Sequence, residues 1–146
     1  MSNIDTFNTV VGLILADLYE HFPVPIDLRA FDYALRSGLI ADPSDMDIED
    51  EVPVSASIEW LIEEGFIRSG TTDLSGGLAP YCVLTQKGLQ LLSIPDVLNQ
   101  QESMGEQIAH AAKSGTLEGL KELTKRVVCE GSKMLLEASI KAAMAP

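Results

Sequence analysis

Only two side chains, His21 and His110, ordinarily titrate near neutral pH, so acid–base chemistry would have to start from one of them. His21 closes an apolar run and His110 lies between Ala109 and Ala111. Neither has a serine or cysteine at a spacing that suggests a nucleophile and its base. Asp45, Asp47 and Glu49 alternate like ligands of a calcium loop, but the turn glycine and the distal bidentate glutamate are missing. Ser75-Gly76-Gly77-Leu78 lacks the lysine and the strand-to-helix transition of a phosphate-cradling loop. Cys82 and Cys129 are too few for a metal cluster or a disulfide framework and read as buried, reduced thiols. No catalytic residue, metal site or cofactor is expected.

Charge is the stronger signal. The 146 residues carry a formal charge of -12. Residues 1–100 hold Arg29, Arg36, Arg68 and Lys87 against sixteen carboxylates, whereas residues 101–146 hold six bases and six acids. All of the excess charge therefore falls on the first hundred residues. With 46% hydrophobic residues the chain can bury a core of single-domain size. The N-terminal run is interrupted by Asp5, Asp17 and Glu20 and lacks the basic start of a signal peptide, and no apolar stretch reaches membrane-spanning length. A cytoplasmic protein with no membrane partner is expected.

The elements follow from spacing. Phe7, Val11, Ile14, Leu15, Leu18 and Phe22 predict a helix from Ile4 to Phe22, widened by Val10, Leu13 and Tyr19 and ended by Pro23 and Pro25. Asp27 is expected to cap a second helix carrying Leu28, Phe31, Ala34 and Leu35, closed at Gly38. Residues 41–53 carry six carboxylates and no base and read as a solvated loop. Ser55 or Ser57 then caps a third helix with Ile58, Leu61 and Ile62 inward, ended by Gly65. Strands over Phe66–Ser69 and Tyr81–Leu84 flank a glycine-rich tip, and Thr85 caps a short helix over Leu89 and Leu92. Ser93 with Asp96, and Ser103 with Glu106, match capping-box spacing. A longer helix is expected from Thr116 to about Met144. The fold class expected is mainly α with a small β-hairpin.

Two segments carry a resemblance: Ile58-Glu-Trp-Leu61-Ile-Glu-Glu-Gly65-Phe66-Ile67, and Leu84-Thr85-Gln-Lys87-Gly88-Leu89-Gln-Leu91-Leu92. Over residues 4–92 the chain resembles the winged helix-turn-helix superfamily of many bacterial transcription regulators. The resemblance implies a winged-helix domain over 1–92, with an acidic insertion at 41–53, and a helical C-terminal region over 93–146. In that family the third helix reads DNA and the hairpin holds a phosphate, which would give Ser55, Ser57, Arg68 and Lys87 DNA-binding roles. DNA affinity rests on basic contacts to phosphate, yet the outward positions Ser55, Ala56, Ser57, Glu59, Trp60 and Glu63 contain no base. Trp60, among Glu59, Glu63 and Glu64, reads as a protein-binding anchor; the alternative is that the acidic loop or the C-terminal helix covers it.

Leu117, Leu120, Leu123, Val127, Val128 and Leu135 form a stripe that can pair with a twofold mate or pack on the first helix of its own chain. The preferred reading is a non-enzymatic interaction or regulatory module bound to an unknown protein partner and joined as a homodimer through this stripe. A DNA-binding transcription regulator is the alternative. An acidic accessory protein imitating nucleic acid is a third.

Overall fold

The computed structural model describes residues 2–45, 47–71, 76–94, 102–131, 133, 140, 141 and 143. The chain is mainly helical, with a three-stranded antiparallel sheet. Its elements run α1 (Asn3–His21), β1 (Ile26–Arg29), α2 (Ala30–Arg36), α3 (Ile48–Glu63), β2 (Ile67–Arg68), β3 (Leu78–Leu84), α4 (Gln86–Ser93), α5 (Met104–Ser114) and α6 (Leu117–Arg126). A 3-10 turn at Pro43–Asp45 precedes α3 and a π turn at Val127–Gly131 follows α6. Among the described residues no helix is long and apolar enough to cross a membrane.

Helix α1 is the axis of the molecule. The Ser2 hydroxyl accepts the Asp5 amide at 3.1 Å and the Asp5 carboxylate accepts the Ser2 amide at 3.4 Å, closing a capping box. From Thr6 to Leu18 nearly every position of α1 is buried, because α2 and α3 pack on part of it while α5 and α6 cover more. Two glycines permit that coverage. A Cβ at Gly12 would collide with Thr124 Oγ1 and approach Leu120 Cγ to 3.0 Å, and a Cβ on Gly105 would meet the Tyr19 ring at 2.7 Å.

The sequence expectation fails at residues 26–29. Asp27 caps no helix: Ile26–Arg29 is a strand whose buried Leu28 lies between exposed Asp27 and Arg29. It pairs with β3 through Ile26 and Cys82, Leu28 and Ala79, and Arg29 and Leu78, so the sheet order is β1-β3-β2 and the hairpin is part of a larger sheet. The Asp27 carboxylate accepts the Tyr81 amide at 3.0 Å, at the irregularity where Tyr81 has a φ of 52°. The first amide of α2 donates to the Gly77 carbonyl at 2.8 Å, which replaces a side-chain cap.

The acidic run also departs from expectation. Its second half is the first turn of α3: the Asp50 carboxylate accepts the Asp47 amide at 3.0 Å, and Glu49, Asp50 and Glu51 face the positive end of the helix dipole. Neither Ser55 nor Ser57 is a cap, since both lie inside α3; the Ser57 hydroxyl is buried and donates to the Pro53 carbonyl at 2.8 Å. Thr85, Ser103 and Thr116 do cap α4, α5 and α6. Ser93 is the last residue of α4 and its hydroxyl donates to the Leu89 carbonyl; a helix capped there falls on Asp96 and its neighbours, outside the described residues. Helix α6 runs from Leu117 to Arg126 straight into the π turn, and the described residues beyond it, 133, 140, 141 and 143, are helical too. Met134, Leu135 and Ala138 lie outside the described residues.

Candidate partner-binding face

The outward side of α3 is where the sequence places its candidate binding residues. The core direction is set by buried Val54, Ser57, Ile58 and Leu61. Stepping 100° per residue puts Ile48, Val52, Ala56, Glu59 and Glu63 on the opposite side. Ile48 is 81% exposed and Val52 60%; Ala56, Glu59 and Glu63 are exposed as well. With Glu51, Ser55 and Gly77 of the hairpin, the first four of these line a groove of about 240 Å³. The N-terminal half of this face is thus apolar and its C-terminal half acidic.

Glu51 forms the wall on the hairpin side. Gly77 has a φ of 70°, and a Cβ there would lie 2.7 Å from Glu51 Oε2, so the glycine lets the carboxylate rest against the hairpin. The Glu51 and Glu59 side chains have no salt-bridge partner among the described residues.

Trp60 does not stand free. It is half-buried, edge-on to Phe7 of α1 at 5.1 Å and tilted against Phe66 at 5.9 Å. Among the described residues this cover comes from α1 and from Phe66, the residue before β2. Glu59, Glu63 and Glu64 are exposed. Near Glu64, Lys87 Nζ donates to the Glu64 carbonyl at 2.7 Å and lies 4.6 Å from the Phe66 ring centre, closing the C-terminal end of α3.

The four bases of the first hundred residues do not converge. Arg36 binds both carboxylate oxygens of Asp17, at 2.6 and 3.2 Å, and Lys87 is engaged as described. Arg29 and Arg68 are exposed on opposite edges of the sheet, opposite Leu78 and Val83 of β3. That separation is about 16 Å along the strand. Of the DNA-contact candidates, Ser55 lines the groove, Ser57 is buried, Arg68 is exposed on the β2 edge and Lys87 caps α3.

Elsewhere, Leu120 and Val127 are buried in the chain's own core, Leu123 and Val128 are half-buried, Leu117 is exposed, and Leu135 lies outside the described residues. His21 Nδ1 is 2.9 Å from the Asp17 carbonyl in the last turn of α1, and His110 is exposed. Cys82 is buried, and burial pushes its thiol up; Cys129, in the π turn, is exposed, contrary to expectation. Among the described residues no three histidine, cysteine or carboxylate side chains gather as a metal site. A larger cleft of about 620 Å³ between α5 and α6 is lined by Gln107, Glu122, Lys125 and Arg126 with Leu123 and Cys129, and its mixed charges select no ligand class.

Sequence reasoning missed Ile48 and Val52. Their signal was present: Asp47 and Asp50 have the spacing of a reciprocal cap, and Ile48, Val52 and Ala56 recur every four residues. No protein-family model, curated protein or solved structure matches the chain.

Proposed function

We propose that the protein is a non-enzymatic, cytoplasmic interaction module of winged-helix type that binds another protein through the outward face of α3. The observation that carries this reading is the composition of that face: two large exposed apolar side chains, Ile48 and Val52, run into Glu59 and Glu63 with no base among them. The winged-helix assignment is supported by the element order, helix, strand, two helices and a hairpin closing on the first strand. In a regulator of that architecture the same face would meet DNA, and here it would bring carboxylates toward phosphates. Exposed aliphatic side chains ringed by polar groups suit a protein surface instead.

Among the described members of the C-terminal stripe, Leu117, Leu123 and Val128 remain open to a homodimer partner, because Leu120 and Val127 are committed to the core. The α3 face itself suits self-association poorly, since twofold pairing would set its carboxylates against their own copies.

The test compares duplex DNA with protein partners. Fluorescence anisotropy with mixed-sequence duplex at about 50 mM salt, where phosphate contacts are strongest, should detect no binding. Crosslinking in the native cell should recover a partner that Val52→Ser, at an exposed position outside the core, releases. Salt-sensitive DNA binding abolished by Arg68→Ala would overturn the reading. Trp60→Ala is the wrong probe, because removing a ring packed on Phe7 and Phe66 costs stability of about 3 kcal/mol and confounds any loss of binding.

A further inference from the structure

We infer that the occupant of the α3 groove is a cationic amphipathic helix, which lays aliphatic side chains on Ile48, Val52 and Ala56 and sets lysine or arginine over Glu51, Glu59 and Glu63. This inference rests on the reading of α3 as a protein-binding face and adds the chemistry of the partner. Ile48 to Ala56 spans about 12 Å and Ile48 to Glu63 about 22 Å along the helix axis. The first distance takes two turns of a partner helix, and the second takes about four.

Aliphatic side chains on such a helix, spaced four apart, match the spacing of Ile48, Val52 and Ala56. Charge selects the rest. Glu51 borders the apolar stripe on the hairpin side, and Glu59 and Glu63 continue it toward the C-terminal end of α3. Neither Glu51 nor Glu59 is neutralised by a salt bridge within the described chain. Arg36 and Lys87 are engaged elsewhere and Arg68 stands on the far edge of the sheet; Arg29, opposite Leu78 and so near the Gly77 end of the groove, makes no ion pair with Glu51 or Glu59 among the described residues, so the partner brings the counter-charge.

The same facts exclude other occupants. Nucleic acid and anionic lipid are repelled, and a second copy would place Glu59 and Glu63 against carboxylates. An acidic peptide would meet the stripe but not its border. A surface that merely imitated the phosphate backbone would carry carboxylates where Ile48 and Val52 stand.

The experiment uses the full chain, labelled with nitrogen-15, and a synthetic helical peptide of about 14 residues, long enough for nearly the whole face, with leucine at four-residue spacing and lysine between. Three controls replace every lysine by glutamate, replace every leucine by serine, or substitute a mixed-sequence DNA duplex. The leucine–lysine peptide should shift the amides of α3 and the Gly77 region, bind more weakly as salt rises, and lose affinity at least about tenfold in Val52→Ser and again in Glu59→Lys. Both variants alter exposed side chains, and unchanged thermal unfolding confirms that they fold. Equal binding of the leucine–glutamate peptide to α3 would defeat the cationic partner while leaving a protein-binding face. Binding of the lysine peptide without leucine would defeat the apolar stripe as an anchor. No shift in α3 with any peptide would overturn the inference, and DNA shifting α3 would overturn both it and the function proposed above.

Discussion

Tyr33 is a side chain whose ionisation the fold strongly opposes. It is only 4% exposed, and its hydroxyl donates to Asp17 Oδ2 at 2.6 Å while Arg36 grips the same carboxylate. Burial first, then the hydrogen bond and the charge of Asp17, hold the phenol well above its ordinary range. The folded pKa therefore exceeds the unfolded one, so the contribution to stability is intact below about pH 10 and is lost as pH rises beyond it, at about 1.4 kcal/mol per pH unit. Tyr33→Phe removes the titrating group and one hydrogen bond. At pH 8 it should cost about 1 kcal/mol, but urea unfolding between about pH 10 and 11 should fall less steeply than in the parent, by about one proton. Equal slopes would show that Tyr33 is free to ionise in the folded chain. The site is partly legible in the sequence: Glu59 and Glu63 lie outward as helical stepping requires, whereas Trp60 is half-hidden because Phe7 and Phe66, distant in sequence or beyond the helix, fill its flank.

Between elements, the crossing of α1 and α6 shows how little space the packing leaves. Gly12 faces buried Thr124, whose hydroxyl donates to the Leu120 carbonyl at 2.8 Å, and a methyl group at Gly12 would enter the same space. Although alanine favours helix over glycine by about 1 kcal/mol, overpacking a core typically costs about 1 to 3 kcal/mol, so Gly12→Ala should destabilise the chain. Thr124→Ala clears the colliding oxygen. The double variant should therefore be more stable than the sum of the single changes by at least about 0.5 kcal/mol, measured by chemical unfolding; strict additivity would mean that the helices shift apart instead. Such crossings cannot be read from one segment, and the same is true of β1, which becomes a strand only through β3. Local signals fared better: α1 follows its apolar period, and Thr85, Ser103 and Thr116 cap the helices that follow them. The start of α3 is harder to read because the mutual repulsion of its carboxylates suggests a loop, whereas three of them are stabilised at the positive end of the helix dipole.

For the whole molecule, the decisive relation is between the acidic first part and the balanced C-terminal helices. Lys113 pairs with Glu20 at 2.8 Å and Lys121 with Asp5 at 3.5 Å, so two lysines from the C-terminal region meet carboxylates of α1. Exposed ion pairs of this kind are screened by solvent and add little to stability. Apolar burial is the larger effect, since Met104, Ile108, Leu120 and Val127 are all buried in the same core as Val10, Ile14 and Leu18, and each large side chain taken from water contributes about 1.5 to 3 kcal/mol. The C-terminal helices therefore complete the core around α1 rather than append to a finished domain. A chain ending after Ser93 would expose α1 around Gly12 and Tyr19, and the burial lost with several such side chains together is comparable to the whole stability margin of a typical domain, about 5 to 15 kcal/mol. That fragment should lack a cooperative thermal transition and bind a hydrophobic dye, while the full chain unfolds in one step with weak dye binding. A fragment that melts cooperatively with dispersed amide resonances would establish the first part as a self-sufficient domain and return α5 and α6 to the role of an appendage.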